Sequence, residues 1–380
     1  MKKIKLGDAC EILNGFAFKS ENYVGSGIRV IRISNVQKGY IEDNTPAFYP
    51  LETKGLEKYM LEEGDLLISL TGNVGRVAIL EKEFMPAALN QRVACLRLKT
   101  DKLSKRYLFH ILNSDFFEKQ CIQYSKGVAQ KNMSTAWLKD YEILLYSKEQ
   151  QELIADILDK MHLIKKLRYY ELQKLDELVK ARFVEMFGDP IENQKDWEVV
   201  KIRDIVTDVR YGTSKPAVEG GRYPYLRMNN LTVDGGLDLS DLKYIDIPDN
   251  EIEKCVVRKG DILFNRTNSI DLIGKTAVFN LLDDMVIAGY IIRIRLNDQI
   301  LPDVFSQYMN LETMKKILRG MAKGAVNQAN INAQELQSIK VYIPNMELQK
   351  QYVEFKEEID KSRLLSNHLL FLIKSISSNH

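Results

Sequence analysis

Apolar residues recur along this chain with two different periods, and the switch between them marks out its parts. From Met1 to Ser147 short apolar runs alternate with Gly, Asn and Asp, as in Arg29-Val30-Ile31-Arg32-Ile33, Asp65-Leu66-Leu67-Ile68-Ser69-Leu70 and Val93-Ala94-Cys95-Leu96-Arg97-Leu98. Short apolar runs bounded by turn formers predict strands. Between Lys105 and Tyr124 the spacing of Tyr107, Leu108, Ile111, Leu112, Phe116 and Phe117 becomes helical. The segment is therefore read as a mixed α+β domain. A much longer stripe follows from Lys148 to Phe187: Ile154, Ile157, Leu158, Met161, Ile164, Leu167, Leu172, Leu175, Leu178, Val179, Phe183 and Met186, with charged residues between. Such a helix needs an apolar partner. Gly188-Asp189-Pro190 stops it, because Gly suits the residue after a helix and Pro cannot continue one.

The same order of elements then returns. Glu62-Glu63-Gly64-Asp65-Leu66-Leu67-Ile68 corresponds to Arg258-Lys259-Gly260-Asp261-Ile262-Leu263-Phe264, an offset of 261 − 65 = 196. Ile31-Arg32-Ile33-Ser34-Asn35-Val36 returns as Leu226-Arg227-Met228-Asn229-Asn230-Leu231, and Leu96-Arg97-Leu98 as Ile294-Arg295-Leu296. Lys126-Gly127 matches Lys323-Gly324, and Glu149 with Gln151 matches Glu347 with Gln349. Units this long are whole domains rather than solenoid repeats. The second copy is also followed by a helical stripe, from Met346 to Ile376, with Tyr352, Phe355, Ile359, Leu365, Leu369 and Leu372. The expected architecture is α+β: two similar domains separated by two long antiparallel helices that bury each other's stripes and hold the domains at opposite ends. Its boundaries are a first domain at 1–147, a central helix at 148–187, a second domain at 188–345 and a C-terminal helix at 346–380.

Composition narrows the chemistry. A 45% hydrophobic and 28% charged chain of 380 residues is of ordinary globular character. The N-terminus Met1-Lys2-Lys3-Ile4-Lys5 lacks the apolar run of a signal peptide. Cys10, Cys95, Cys121 and Cys255 lie far apart with no Cys-x-x-Cys, so neither a disulfide framework nor a metal site is expected, and a cytoplasmic location is. The net charge of +2 gives no global basic signal and leaves local basic surfaces open. A methyltransferase would need an Asn/Asp-Pro-Pro-Tyr/Phe loop and a Gly-rich cofactor loop; Asp189-Pro190-Ile191 supplies neither. Nor is there a Gly-x-x-x-x-Gly-Lys-Ser/Thr phosphate loop. His110, His162, His368 and His380 show no paired spacing, so the chain reads as a non-enzyme.

The order domain, long helix, domain, long helix resembles the specificity subunit of Type I restriction-modification systems. The segments carrying the resemblance are Gly64-Asp65 and Gly260-Asp261, Lys126-Gly127 and Lys323-Gly324, Glu149-Gln150, Met186-Phe187-Gly188-Asp189-Pro190, and Tyr211-Gly212-Thr213-Ser214-Lys215. The C-terminal helix departs from the pattern, opening with Glu347-Leu348-Gln349. The resemblance implies two target recognition domains, each reading one half of a bipartite site in double-stranded DNA. It also implies that the helices set the spacing and dock two methyltransferase subunits, with motor-nuclease subunits assembling as well. S-adenosylmethionine, ATP and Mg would belong to those partners, with no cofactor in this chain. A protein-binding scaffold and a stand-alone DNA-binding regulator are the alternatives.

Base edges are read by amide and guanidinium groups on loops, and phosphates are held by Lys, Arg, Ser and Thr. Matching clusters of these occur in both copies. The first offers Lys19, Ser34, Asn35, Thr71, Asn73, Arg76, Gln91, Arg92, Lys126, Gln130 and Asn132. The second offers Thr213, Ser214, Lys215, Arg227, Asn229, Asn230, Arg266, Thr267, Asn268, Lys323, Asn327, Gln328 and Asn330. Asn and Gly also shape turns, which is their commoner use. Gly64-Asp65 and Gly260-Asp261 are read as structural turns. On the helices, Ile154, Ile157, Met161, Ile164, Leu175, Phe355, Ile359 and Leu369 are the candidate partner-binding residues.

Overall fold

The computed structural model describes residues 2–125, 132–325 and 328–378. Its contacts divide the chain into two units, one of Met1–Arg168 with Leu369–His380 and one of Tyr169–His368.

In the first unit the chain ends of the globular part pair with each other: Lys2–Lys5 runs antiparallel to Glu142–Leu145. An antiparallel sheet follows in the order Cys10–Asn14, Val93–Leu98, Leu66–Ser69, Val77–Ile79. A smaller sheet sets Ile28–Ile31 parallel to Ala87–Leu89. Its third strand is Phe48–Tyr49. Helices Lys105–Leu112 and Asp115–Tyr124 cover the larger sheet, burying Tyr107, Leu108, Leu112 and Phe117 with Leu66, Ile68, Val77 and Leu96. Ser104 and Ser114 cap these helices through their hydroxyl oxygens.

The second unit repeats this topology. Glu198–Lys201 pairs with Lys340–Ile343, the larger sheet runs Val206–Tyr211, Ile291–Leu296, Ile262–Asn265, Thr276–Val278, and Tyr223–Leu226 lies parallel to Met285–Ile287. The Gly-Asp motifs are structural in both. Gly64 and Gly260 turn with φ of 82° and 94°, which favours glycine. The following carboxylates are buried: Asp65 accepts from Arg97 Nε at 2.9 Å and Asp261 from Arg295 Nε at 2.9 Å.

The central helix spans Lys148–Phe187 and the C-terminal helix Met346–Ser378. Within the second unit they run antiparallel: Asp176 pairs with Arg363, Arg182 lies over Phe355, and Phe183 and Phe187 both meet Tyr352. The helix-stopping motif is gripped by three aromatic donors. Trp197 Nε1 donates to the Phe187 carbonyl (2.8 Å), Tyr342 to that of Gly188 (2.8 Å) and Tyr308 to that of Pro190 (3.2 Å). The otherwise orphaned carbonyls at the helix end are thereby satisfied.

A lysine is buried in the second core. Lys315 donates to the carbonyl of Gly274 and to Asn310 Oδ1 at 2.7 Å, and burial lowers its pKa from 10.5 to about 7. Between those values the unfolded chain holds the proton that the folded one has released, so stability rises with pH. Raising the pH from 7 to 8.5 should therefore stabilise this unit by about 1.5 kcal/mol. Denaturant unfolding checks this: the gain should vanish in Lys315→Met, and an equal gain in the variant would refute the assignment.

Candidate nucleic-acid interface

In each unit four loops meet at one end of the two sheets, and the same backbone bonds join them. In the first unit, Gln91 N donates to Phe16 O (2.9 Å), Leu70 N to Arg92 O (2.9 Å) and Met133 N to Leu70 O (2.8 Å). In the second, Gly289 N donates to Thr213 O (2.8 Å), Arg266 N to Tyr290 O (3.0 Å) and Ile331 N to Arg266 O (2.9 Å). The first loop comes close enough only because it carries a glycine. A Cβ on Gly15 would lie 2.2 Å from the Asn90 carbonyl, and one on Gly212 2.2 Å from Ile287 O. The loops after the parallel strands, Ile33–Asn35 and Met228–Asn230, leave from the same end. The candidate segments are thus brought together: Thr71 bridges to Asn132, and Thr267 pairs with Asn330.

Four candidates, Asn35, Thr71, Asn230 and Thr267, are buried, and others make contacts within the protein. Asn35 is 3% exposed; its Oδ1 accepts from Arg32 N (2.9 Å) and its Nδ2 donates to Glu42 O (2.9 Å) and Asp43 (2.8 Å). Asn230, 2% exposed, repeats this with Arg227 N and Asp238 O at 2.8 Å each. Their buried amides hold a loop and face away from any base. Arg227 is paired with Asp241 (2.7 Å), Arg76 donates to Gln37, Lys215 pairs with Glu251 (2.9 Å) and Lys323 with Glu335. Arg266 stacks on Tyr211 and donates to Asn330 Oδ1 (3.0 Å), while Asn330 Nδ2 donates to buried Thr267 (3.1 Å). Asn268 donates to Asn265 (2.8 Å), and Thr71 is also buried. Thr213 accepts from Lys215 N (3.2 Å). Those left at the surface are Lys19, Ser34, Asn73, Gln91, Arg92 and Asn132 in the first unit, and Ser214, Asn229 and Gln328 in the second. Lys126, Gln130 and Asn327 lie outside the described residues.

Replacing Asn35 or Asn230 with Ala should cost about 2–3 kcal/mol, since each change strands a loop amide and a carbonyl. Any site preference in the surviving protein should stay as it was. An unfolding curve and a binding comparison together check this, and a changed preference without lost stability would return these residues to the readers.

Sequence reasoning missed Tyr290, which is 51% exposed. The repeat could have pointed to it, because 290 − 92 = 198 places it at Arg92. It also missed how each helix is fastened. Gln151, fully buried, accepts from Ser104 N (2.7 Å) and donates to Lys102 O (2.8 Å) and Tyr146 O (2.9 Å). Gln349 does the same with Leu301 N (2.8 Å), Gln299 O (3.0 Å) and Pro344 O (2.8 Å). One buried amide thus pins each helix start to its own domain. Three of the partner-binding candidates are used internally, Ile154 against the first core and Phe355 and Ile359 against the second. Met161 and Leu175 are half-buried, and Ile157, Ile164 and Leu369 are exposed.

Among the described residues no helix is long and apolar enough to cross a membrane. The protein-family model described as Type I restriction modification DNA specificity domain matches residues 1–176 and 194–374. The putative type I restriction enzyme MjaX specificity subunit of Methanocaldococcus jannaschii is 32% identical over 173 residues, 44% of this chain and 40% of that one. The EcoBI specificity subunit of Escherichia coli is 25% identical over 389 residues, covering 94% of this chain and 78% of that one. The solved S subunit of the Type I system from M. genitalium aligns over 100% of this chain and 94% of its own, with TM-score 0.58 at 14% identity, a likeness of fold. Matched in both of its repeats, this chain belongs to the Type I restriction-modification DNA specificity family, whose members are the non-catalytic specificity subunits of those systems.

Proposed function

We propose that each unit reads one half of a bipartite site in double-stranded DNA through its four-loop end, and that the helices fix the distance between the halves. The observation that supports this is the junction built twice with one backbone scheme and different outward side chains, Gln91 and Arg92 in one unit and Tyr290 in the other. A duplicated frame carrying different surface groups suits two different half-sites. Exposed Ile157, Ile164 and Leu167 suit docking of methyltransferase subunits, two of them by the repeat, with motor-nuclease subunits assembling on the same complex. S-adenosylmethionine, ATP and Mg belong to those partners in this reading, and the cytoplasm is where host DNA is met.

Affinity purification of the chain from its host tests the reading. A DNA methyltransferase should come with it, and the chain alone should neither methylate nor cleave. The scaffold alternative draws on the net charge of +2. It predicts other protein partners and no DNA affinity in the purified complex, and that result would replace the present reading.

A further inference from the structure

Each four-loop end contains a position, matched between the units, whose main chain is fixed while its side chain is free. At Arg92 the carbonyl accepts from Leu70 N (2.9 Å), and its own N–H donates to Asn90 Oδ1 (3.2 Å). At Tyr290 the carbonyl accepts from Arg266 N (3.0 Å) and from Asn265 Nδ2 (3.1 Å). Both side chains are exposed. The Arg92 guanidinium has no hydrogen bond or ion pair among the described residues, unlike Arg29, Arg32, Arg76, Arg97 and Arg106, which pair with Asp43, Thr45, Gln37, Asp65 and Asp159. An unpaired arginine has its five donors available, and on a fixed backbone only its side-chain rotamers remain to be ordered on binding. The tyrosine at the matching place offers a ring and a single hydroxyl.

We propose that Arg92 and Tyr290 are the specificity-determining residues of the two units, Arg92 taking a guanine through O6 and N7 in the major groove and Tyr290 packing on a thymine methyl. This rests on the DNA-reading function proposed above. The chemistry differs in a readable way. A forked donor pair fits the two acceptors of guanine and no other base edge, whereas an aromatic edge favours the methyl that only thymine carries there. The first half-site should therefore contain a guanine that Arg92 alone specifies, and the second a thymine at the position Tyr290 meets.

The experiment uses the full chain in complex with its methyltransferase. The probes are duplexes carrying the site methylated in the host and every single base-pair change of it. Wild-type binding to the unaltered site comes first, because a complex that prefers no duplex refutes the DNA-reading function itself. Given that binding, Arg92→Met and Arg92→Gln should each lose about 5- to 150-fold on the native site. They should also become indifferent at one guanine in one half. Tyr290→Phe should keep its preference, and Tyr290→Ala should lose it at one thymine in the other half. Equal weakening on all duplexes would mean a phosphate contact and overturn the proposal. Unchanged preferences in all variants would overturn it too.

Discussion

Seven residues inserted after Arg168 of the central helix, with seven more after His368 of the C-terminal helix, should lengthen the spacer of the recognised site by about one to three base pairs. Both half-site sequences should stay the same. The insertion points are where the chain passes from one unit to the other, so the packing within each unit should be kept. Seven residues make nearly two turns, and the apolar stripes keep their faces. At about 1.5 Å per residue they add roughly 10 Å, against about 3.4 Å per base pair along one strand. The 40-residue central helix spans about 60 Å by the same rise, which suits half-sites centred on the order of one duplex turn apart or somewhat more. Sequencing the sites methylated by the altered complex gives the answer. New half-site bases at constant spacing would show that the helices are not the ruler.

A chain cut after Phe187 should dimerise and direct methylation to a palindrome built from the first half-site and its inverted copy. Val179, Phe183, Met186 and Phe187 are buried in the second unit's core against Tyr308, Tyr342 and Tyr352, and the cut exposes them. By the repeat, Ile111, Leu144 and Ile154 stand in the first unit where those tyrosines stand in the second; Leu144 is 38% exposed. A second fragment can place its Phe183 and Phe187 there, and the exchange is reciprocal, as a two-fold dimer requires. Burying two phenylalanines per protomer is worth about 3–6 kcal/mol each way. Sedimentation at micromolar concentration should report a dimer. A folded monomer would show that the central helix does not recreate the antiparallel pair with itself.

The long elements were legible because their signals are cumulative. The stripe from Ile154 to Met186, closed by Gly188-Asp189-Pro190, places the central helix at Lys148–Phe187. Gly64-Asp65 and Gly260-Asp261 were read as turns from glycine's freedom and the strands that follow. The buried role of each aspartate comes from Arg97 and Arg295, some thirty residues further on in the chain and one strand away in the sheet. The site was legible only as a set of loops. Asn35 and Asn230 look like base readers because an amide in a polar loop gives the same letters whether it faces out or in. What turns Asn35 inward is the path of residues 36–43, which brings Glu42 O and Asp43 to its Nδ2. Tyr290 was overlooked for the converse reason: a lone aromatic beside Gly289 carries no amide or charge. The repeat places it at Arg92, and its carbonyl bond to Arg266 N shows the two positions to be the same in the fold.

The central claim is that this chain chooses where a partner methyltransferase acts, one half-site per unit. Its most direct test is base-resolution mapping of methylated bases in the host genome, with the chain intact, deleted, and altered at Arg92 or Tyr290. The account predicts one bipartite motif that disappears on deletion, changes only in one half with Arg92→Gln and only in the other with Tyr290→Ala. A methylation pattern that survives deletion of the chain unchanged would contradict it.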